Sequence, residues 1–539
     1  MSREIGKVLG TADAQPLDFW VAVPADEVVQ LDDVVLVRRE LKNGVTVTLY
    51  GMVDMLVARH EGARLESDVF LASDGVLPLT HAVKAHVTVT RVEPEVFVPP
   101  LPGQPVLLAQ GEDRSKALFF DAMTRKFPLG LSRDGEPVYG NFEFLDGSRG
   151  AHVNISGISG VATKTTYATF LLYGIFHGGL LGAEAGNTHA LIFNVKGEDL
   201  LFLDKTNTSM PEAEREKYAK LGLTPGAFED VAIYAPVRAG QIEMIPDTGT
   251  RQQGVDAFCW TVSQFCKERL LRFLFTEADD EQSQIGSLVE RIEARLANED
   301  VRGIDNFETL ADMICDRLQE WAGNFTSGTQ AAFERRLRTA VSRVGHLIQG
   351  RVEDESRHTI NWRRGQVTVI DIHNLNDRAK RFVIGVVLKR MFEDKEKAGT
   401  RHPLAFVVLD ELNKYAPREG RSPIKDVILD MAERGRSLGV ILIGAEQTAS
   451  QIERRVVANS SFRVVGRLDL AEAQAHEYAF LPAPSRARAG ILKPGSVIVS
   501  QPEIPVPVLV QFPFPSWATR PGEAPPLVAK AGKPVFPKF

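Results

Sequence analysis

The hydrophobic rhythm of the chain changes about a quarter of the way along. Over residues 1–97, short apolar runs such as "IGKVLGT", "DVVLVRREL", "VTVTLYGMV" and "AHVTVTRVE" are punctuated by glycines, Asn43 and aspartates. Runs of this length and spacing predict the strands of a small barrel or sandwich. "VPPLPGQP" at 98–105 is a Pro/Gly-rich connection, and residues 106–150, with the turn "SRDGEP", return to the same rhythm. A β-barrel domain over 1–150 follows. From residue 151 the apolar runs become continuous: "HVNIS", "HALIFNV", "VAIYAPV", "VTVIDI", "LAFVVLD", "GVILIGA" and "FRVVGRL". Unbroken runs of this kind are the pattern of parallel strands buried on both faces. Between the first two, "TTYATFLLYGIF" sets Tyr167, Leu171 and Ile175 at helical spacing.

Amphipathic helices interrupt this series over 256–350. Phe333, Leu337, Val341, Val344 and Ile348 make one helical stripe, and Arg335, Arg336, Arg338 and Arg343 read as its solvated face. The predicted fold class is α/β. A strand–helix core in two parts, 151–255 and 351–515, is split by a helical insertion at 256–350. Two late strands in "PGSVIVSQPEIPVPVLVQF" close the second part, and a Pro-rich extension occupies 516–539.

Composition changes this picture little. With 539 residues, 44% hydrophobic and 25% charged, the chain is of ordinary globular make-up and long enough for a large core. The net charge of −7 gives no general attraction to nucleic acid, but it leaves room for a local basic channel. Cys259, Cys266 and Cys315 show no metal-ligand spacing and cannot pair completely, so they read as buried thiols in a reducing compartment. "MSREIGKVLG" is no signal segment, and no run approaches 18 uninterrupted apolar residues. The expectation is a cytoplasmic protein without a membrane span.

The candidate chemistry starts at "GISGVATKTT", residues 157–166. A phosphate-binding loop has the spacing G-x-x-x-x-G-K-[ST], joining a strand to a helix so that backbone N–H groups cradle phosphates. Here Gly157 and Gly160 lead to Lys164, Thr165 and Thr166, but Thr163 stands where the last glycine belongs and the loop is one residue longer than that spacing. Lys164 would reach the β- and γ-phosphates of ATP, and the Thr165 hydroxyl would ligate Mg²⁺. The plainer reading is a glycine-rich turn with an exposed lysine. "LAFVVLDELNKYAP" weighs against it. Two adjacent carboxylates, Asp410 and Glu411, end a buried strand, which is costly without a task. Asp410 suits holding Mg²⁺, and Glu411 suits the base that polarises attacking water. Next, "RGRSLGVILIGAEQTAS" supplies Arg434 and Arg436 before a strand and Gln447 just past it. Gln447 could orient water, and an arginine could act in trans, although a surface salt bridge explains either arginine alone.

In this order the segments resemble the HerA family of hexameric DNA-translocating ATPases, in the HerA/FtsK branch of P-loop enzymes. "IGKVLGT" with "LYGMV" resembles the family's N-terminal barrel, "HVNISGISG" its approach to the phosphate loop, and "VLDELNKYAP" its Walker B strand. "ERGRSLGV" resembles its arginine segment, "GAEQTAS" its glutamine sensor, and "LKPGSVIVSQPEIPVPVLVQF" its closing strands. "FNVKGEDLLFLD" resembles a further strand that usually ends in Asp, where this chain has Asn194. The family loop normally reads G-x-x-G-x-G-K-[ST], from which this chain departs.

The resemblance implies a RecA-like core and a homo-hexameric ring with ATP and Mg²⁺ between neighbours. Lys164, Thr165, Asp410, Glu411 and Gln447 would come from one subunit and Arg436 from the next, with Arg149 a weaker second trans arginine. It also implies double-stranded DNA in the pore and a partner docked on the barrel, either a nuclease or an NAD-consuming effector in antiphage defence or DNA-end processing. Arg378, Lys380 and Arg381 in "NLNDRAKRF" read as a solvated helix start. Two other readings stand beside this one. The first is a nucleotide-binding scaffold with little translocation, favoured by the irregular loop. The second is a conjugation-type P-loop ATPase, disfavoured by the barrel and the missing membrane segments.

Overall fold

The computed structural model describes residues 3–63, 65–77, 80–158, 164–241, 243–275 and 284–525. The first six strands are β1 (Glu4–Val8), β2 (Asp18–Val23), β3 (Val34–Glu40), β4 (Thr46–Glu61), β5 (Thr80–Glu93) and β6 (Pro105–Leu108). They close a barrel in the order β1-β2-β5-β4-β3-β6, with antiparallel pairs throughout. Alternation drives it. In β2, Phe19, Val21 and Val23 point inward and join Ile5, Val35, Val37, Leu49, Val53, Val87 and Val106 in one apolar core. Burying each such side chain is worth roughly 1.5–3 kcal/mol. A bulge beside Gly51 bends β4 where an added Cβ would meet Val87 and the Thr88 carbonyl.

The strands that follow are β7 (Lys126–Leu131), β8 (Pro137–Asn141), β9 (Val153–Ser156), β10 (Thr188–Asn194), β11 (Val231–Pro236), β12 (Asp256–Phe258), β13 (Trp260–Thr261), β14 (Ile348–Gln349) and β15 (Val367–Asp371). Then come β16 (Leu404–Asp410), β17 (Val440–Glu446), β18 (Phe462–Val465), β19 (Ser496–Ser500) and β20 (Val508–Gln511). The helices used below are α1 (Lys164–His177), α2 (Ile285–Leu296), α3 (Phe307–Asp316), α4 (Ser327–Val344), α5 (Asp377–Ala398), α6 (Leu412–Tyr415) and α7 (Pro423–Leu438).

The chain forms two compact units. One comprises Met1–Leu180 and Ala445–Phe512, the other Leu181–Gly444 and Pro513–Phe539. The first unit holds the barrel and a sheet in the order β9-β18-β19-β20-β7-β8. Strands β9 and β18 are parallel, and the others antiparallel. This corrects the expectation that 106–150 belongs with the barrel. The barrel closes at β6, and β7 and β8 extend the sheet beside β20. A β-hairpin has the same local rhythm in either place, so only its pairing partner decides. Helix α1 is buried on almost every face, and the Tyr167 hydroxyl donates to the Leu129 carbonyl of β7 at 3.1 Å.

In the second unit the order is β12-β11-β15-β10-β16, and the pairs β12-β11, β11-β15, β15-β10 and β10-β16 are all parallel. Their burial is continuous, as the unbroken apolar runs predicted. Helices α2, α3 and α4 form the insertion, whose base is tied by the parallel pair β13–β14. Phe333, Leu337 and Val344 of α4 are buried, and Phe333 stacks on Phe275 at 5.0 Å. The apolar stripe expected to reach Ile348 leaves the helix at Val344, and Ile348 is buried in β14 instead. Arg335, Arg338 and Arg343 are exposed, as a solvated face requires. Strand β17 carries the chain from the second unit into the first.

Candidate active site

In each unit, candidate residues lie at the carboxyl end of a buried strand, where open α/β sheets leave room for ligands. In the first unit, β9 ends at Ser156. The Gly157 N–H then donates to the Glu446 carbonyl at 3.0 Å, and the Ile158 N–H to the Arg467 carbonyl at 2.8 Å. The loop therefore starts anchored to the ends of two other strands. Ser156 Oγ donates to Glu446 Oε1 at 3.0 Å, and Glu446 is fully buried. Lys164 opens α1. It is buried, and its ammonium donates back to the Gly157 carbonyl at 2.8 Å. This corrects the plainer reading of an exposed lysine, because the side chain is buried against the Gly157 carbonyl. Thr165 and Thr166 are half-buried in the first turn of the helix. Gly160 and Thr163 lie outside the described residues. Gln447 is exposed one residue past β17. A buried ammonium, two first-turn hydroxyls and a helix N-terminus form a donor set suited to a polyphosphate.

In the second unit, β16 ends at Asp410, which is half-buried, and Asp410 Oδ1 accepts the Glu411 N–H at 2.8 Å. Glu411 caps α6 with φ +57° and ψ +39°, a left-handed conformation uncommon outside glycine. Its carboxylate is ion-paired on both oxygens, to Lys196 at 2.5 Å and Lys414 at 2.8 Å. Burial pushes the Glu411 carboxyl up, but hydrogen bonds and charge from the two lysines outweigh it and hold the group below its usual range. The Lys414 ammonium is raised in return, chiefly by its hydrogen bond to Glu411. Asp199 is raised by burial and further by the charge of Asp410. Two carboxylates in each other's field gain from a shared cation. Among the described residues no group of three or more His, Cys, Asp or Glu side chains is arranged to hold a metal ion. Mg²⁺ fits such a setting, since it takes one or two carboxylates and completes its shell with water and substrate phosphates.

A further cluster escaped the sequence reading. Parallel pairing puts Asn194 of β10 in register with Asp371 of β15. Asn194 Nδ2 donates to Asp371 Oδ1 at 2.8 Å, and the His373 ring contacts the same oxygen through Nδ1 at 2.7 Å. Asp371 is buried, and the hydrogen bond to it raises the His373 pKa. The acid missing at 194 thus has a counterpart on the neighbouring strand. Its signal was "VTVID", an apolar run ending in an acid like "LAFVVLD".

The arginines divide. Arg434 is engaged within its own unit, on Glu396 and Asp430 and over the Phe392 ring. Arg436, two residues on in the last turn of α7, is exposed. Arg149 lies over Phe144 and near Glu143 and Glu503, which suits a structural role. Lys380 is not simply solvated, as it donates to the Val195 carbonyl at 2.9 Å. Cys259, Cys266 and Cys315 are free thiols, and burial pushes all three upward in pKa. Among the described residues no helix is long and apolar enough to cross a membrane.

No family model and no curated protein matches the chain. Among solved structures it is similar to VirB4 of Thermoanaerobacter pseudethanolicus, with 15% identity, a TM-score of 0.45, and coverage of 74% of this chain and 98% of that one. It is also similar to the bacterial conjugative coupling protein TrwB in an unbound form, with 12% identity, a TM-score of 0.47, and coverage of 76% and 94%. TrwB in complex with ADP and Mg²⁺ matches at 13% identity and a TM-score of 0.42, covering 69% of this chain and 88% of that one. At TM-scores below 0.5, function has to be read from the residues of this chain.

Proposed function

We propose that the chain is a RecA-like P-loop ATPase of the HerA type that couples ATP hydrolysis to movement of double-stranded DNA. The observation that carries this is the pairing of two features. One is a buried lysine, bonded to the Gly157 carbonyl, at the start of a helix after an apolar strand. The other is an adjacent Asp–Glu pair at the end of a parallel strand.

Each residue then has a task. Lys164 neutralises phosphate charge that backbone N–H groups alone cannot balance. Thr165 and Asp410 hold Mg²⁺, which draws charge from the γ-phosphoryl group when bound. Glu411 takes the proton of the attacking water, and Gln447 orients that water. Arg436 reaches the site of a neighbouring copy in a homo-hexameric ring. The barrel is the docking face for a nuclease or an NAD-consuming effector, because no cluster suited to nuclease metals is evident in this sequence.

A scaffold that binds nucleotide with little turnover is the second reading, and the irregular loop at Thr163 favours it. ATP turnover with and without double-stranded DNA separates the two. DNA-stimulated turnover supports the motor. Tight binding with negligible turnover supports the scaffold. Mass measurement of the purified complex gives the ring size and any co-purifying partner.

A further inference from the structure

On the ATPase reading, the end of β9 receives the phosphates of ATP, and what flanks that strand bears on where the nucleobase goes. Two backbone bonds fix the flanks. The Gly157 N–H donates to the Glu446 carbonyl at 3.0 Å, and the Ile158 N–H donates to the Arg467 carbonyl at 2.8 Å. The chain therefore leaves β9 between the end of β17 on one side and the segment after β18 on the other. Gln447, assigned to the attacking water, follows β17 directly. An extended nucleotide with its terminal phosphate beside Gln447 carries its base to the opposite flank, towards the segment after β18.

That segment is fastened at two points. The Gly466 N–H donates to the Ser156 carbonyl at 2.8 Å, and the Leu468 N–H donates to the Ala489 carbonyl at 3.1 Å, at the end of the helix Ala483–Ala489. The apolar residues on either side of this second bond divide between inside and outside. Leu468 and Leu492 turn inward and share one buried apolar cluster with Ala489. Leu470 and Ile491 turn outward and stay 70% and 76% exposed. They meet at one turn, since a Cβ added to Gly490 would stand 3.0 Å from Leu470 Cδ2.

Single apolar side chains in water are ordinary. Here two separate segments bring one each to the same turn, and one of those segments is bonded to the entry of the phosphate loop. Small-molecule sites combine apolar walls with a few polar groups that fix orientation. Lys164, Thr165 and Thr166 supply polar groups for the phosphates, and the exposed pair supplies apolar surface. Every nucleobase has a π-face, so stacking holds it whatever its hydrogen-bonding edge.

We propose that Leu470 and Ile491 are the platform on which the base of the bound nucleotide lies. The proposal rests on the ATPase reading and adds to it the residues that hold the nucleoside end. The platform contributes affinity for the base and none for the phosphates, which gives it a signature that a structural role lacks.

The test uses the full chain. Calorimetry follows Mg·ATP and, separately, Mg·tripolyphosphate binding to the parent, Leu470→Ser, Ile491→Ser, the double variant and Leu470→Met. Both side chains are exposed, so the melting temperature should not change. ATP affinity is expected to fall about threefold in each serine variant and about tenfold in the double variant, as lost apolar contact predicts. Tripolyphosphate affinity should stay at the parental value throughout. Leu470→Met keeps the apolar area and should bind ATP like the parent. Equal losses for ATP and tripolyphosphate would mean general damage to the site and overturn the platform. Parental ATP affinity in the double variant also overturns it, and a smaller assembly mass beside that result gives the pair to a contact between copies. In both cases ATP binding by the parent leaves the ATPase reading standing. Absence of ATP binding in the parent and in every variant overturns the platform and the ATPase reading together.

Discussion

The end of β9 and the end of β16 hold their charged groups in opposite ways. At β9 a single ammonium, Lys164, is satisfied by the backbone of its own loop, through the Gly157 carbonyl seven residues back. At β16 the Glu411 carboxylate is satisfied by side chains, one of them from the loop after another strand. The first arrangement is local, a buried ammonium turned back on the carbonyl that follows β9. The second is assembled from the loop after β10 and the turn after β16, and it pairs one carboxylate with two ammonium groups. On the proposed reading, catalysis at the second has to disturb an ion-pair network, and the difference separates nucleotide binding at the β9 end from chemistry at the β16 end.

The largest effect expected from that division is at Glu411. Glu411→Gln should lower turnover by about 10²–10⁴-fold, the usual contribution of a general base, and leave nucleotide affinity within error. Steady-state turnover and an ATP-analogue titration check both halves. Parental turnover in this variant would remove the base from β16 and dissolve the comparison.

Backbone strain gives a middle-sized effect. Glu411→Gly should be inactive yet more stable by about 1–2 kcal/mol, the ordinary cost of a left-handed non-glycine residue. The abandoned lysines are half exposed and lose little. Gly439, the cap of α7 at φ +68°, is the reverse case, because a Cβ there would collide with the Arg401 carbonyl. Gly439→Ala should cost about 1–3 kcal/mol. Denaturant unfolding of both variants beside the parent shows whether the signs are opposite.

The smallest effect separates Lys164 from another buried lysine that also bonds backbone carbonyls. Lys395 in α5 donates to the carbonyls of Arg401 and Pro403, and burial, with a lesser push from Arg363, lowers its pKa to about 8. In the unfolded chain a lysine titrates near 10.4. Between these values the unfolded state binds more protons, so this group's contribution to stability rises as pH climbs from about 8 to about 10.4. Thermal melts across that window should show the rise in the parent and its absence in Lys395→Met. Nucleotide binding should be the same in both.

The strands of the core were legible because each is an unbroken apolar run. The positions of Lys164, Asp410 and Glu411 at the ends of apolar runs were legible too: Lys164 opens α1, Asp410 ends β16 and Glu411 follows it. What stayed hidden depends on pairing. The hairpin of β7 and β8 has the rhythm of a barrel hairpin, and only its neighbour β20 shows otherwise. Asp371 gains its place from register with Asn194, 177 residues away. Lys196 is one charged loop residue among several until β10 is laid beside β16. Glu446 was overlooked beside Gln447, although its carbonyl accepts the Gly157 N–H and its carboxylate the Ser156 hydroxyl where β9 ends.

The division between binding at β9 and chemistry at β16 is tested most directly by titrating a fluorescent ATP analogue into Lys164→Ala and Glu411→Gln side by side, with turnover measured on the same samples. The account predicts that Lys164→Ala loses both binding and turnover while remaining folded, and that Glu411→Gln binds like the parent and does not turn over. A Lys164→Ala protein that binds and hydrolyses ATP like the parent would contradict it.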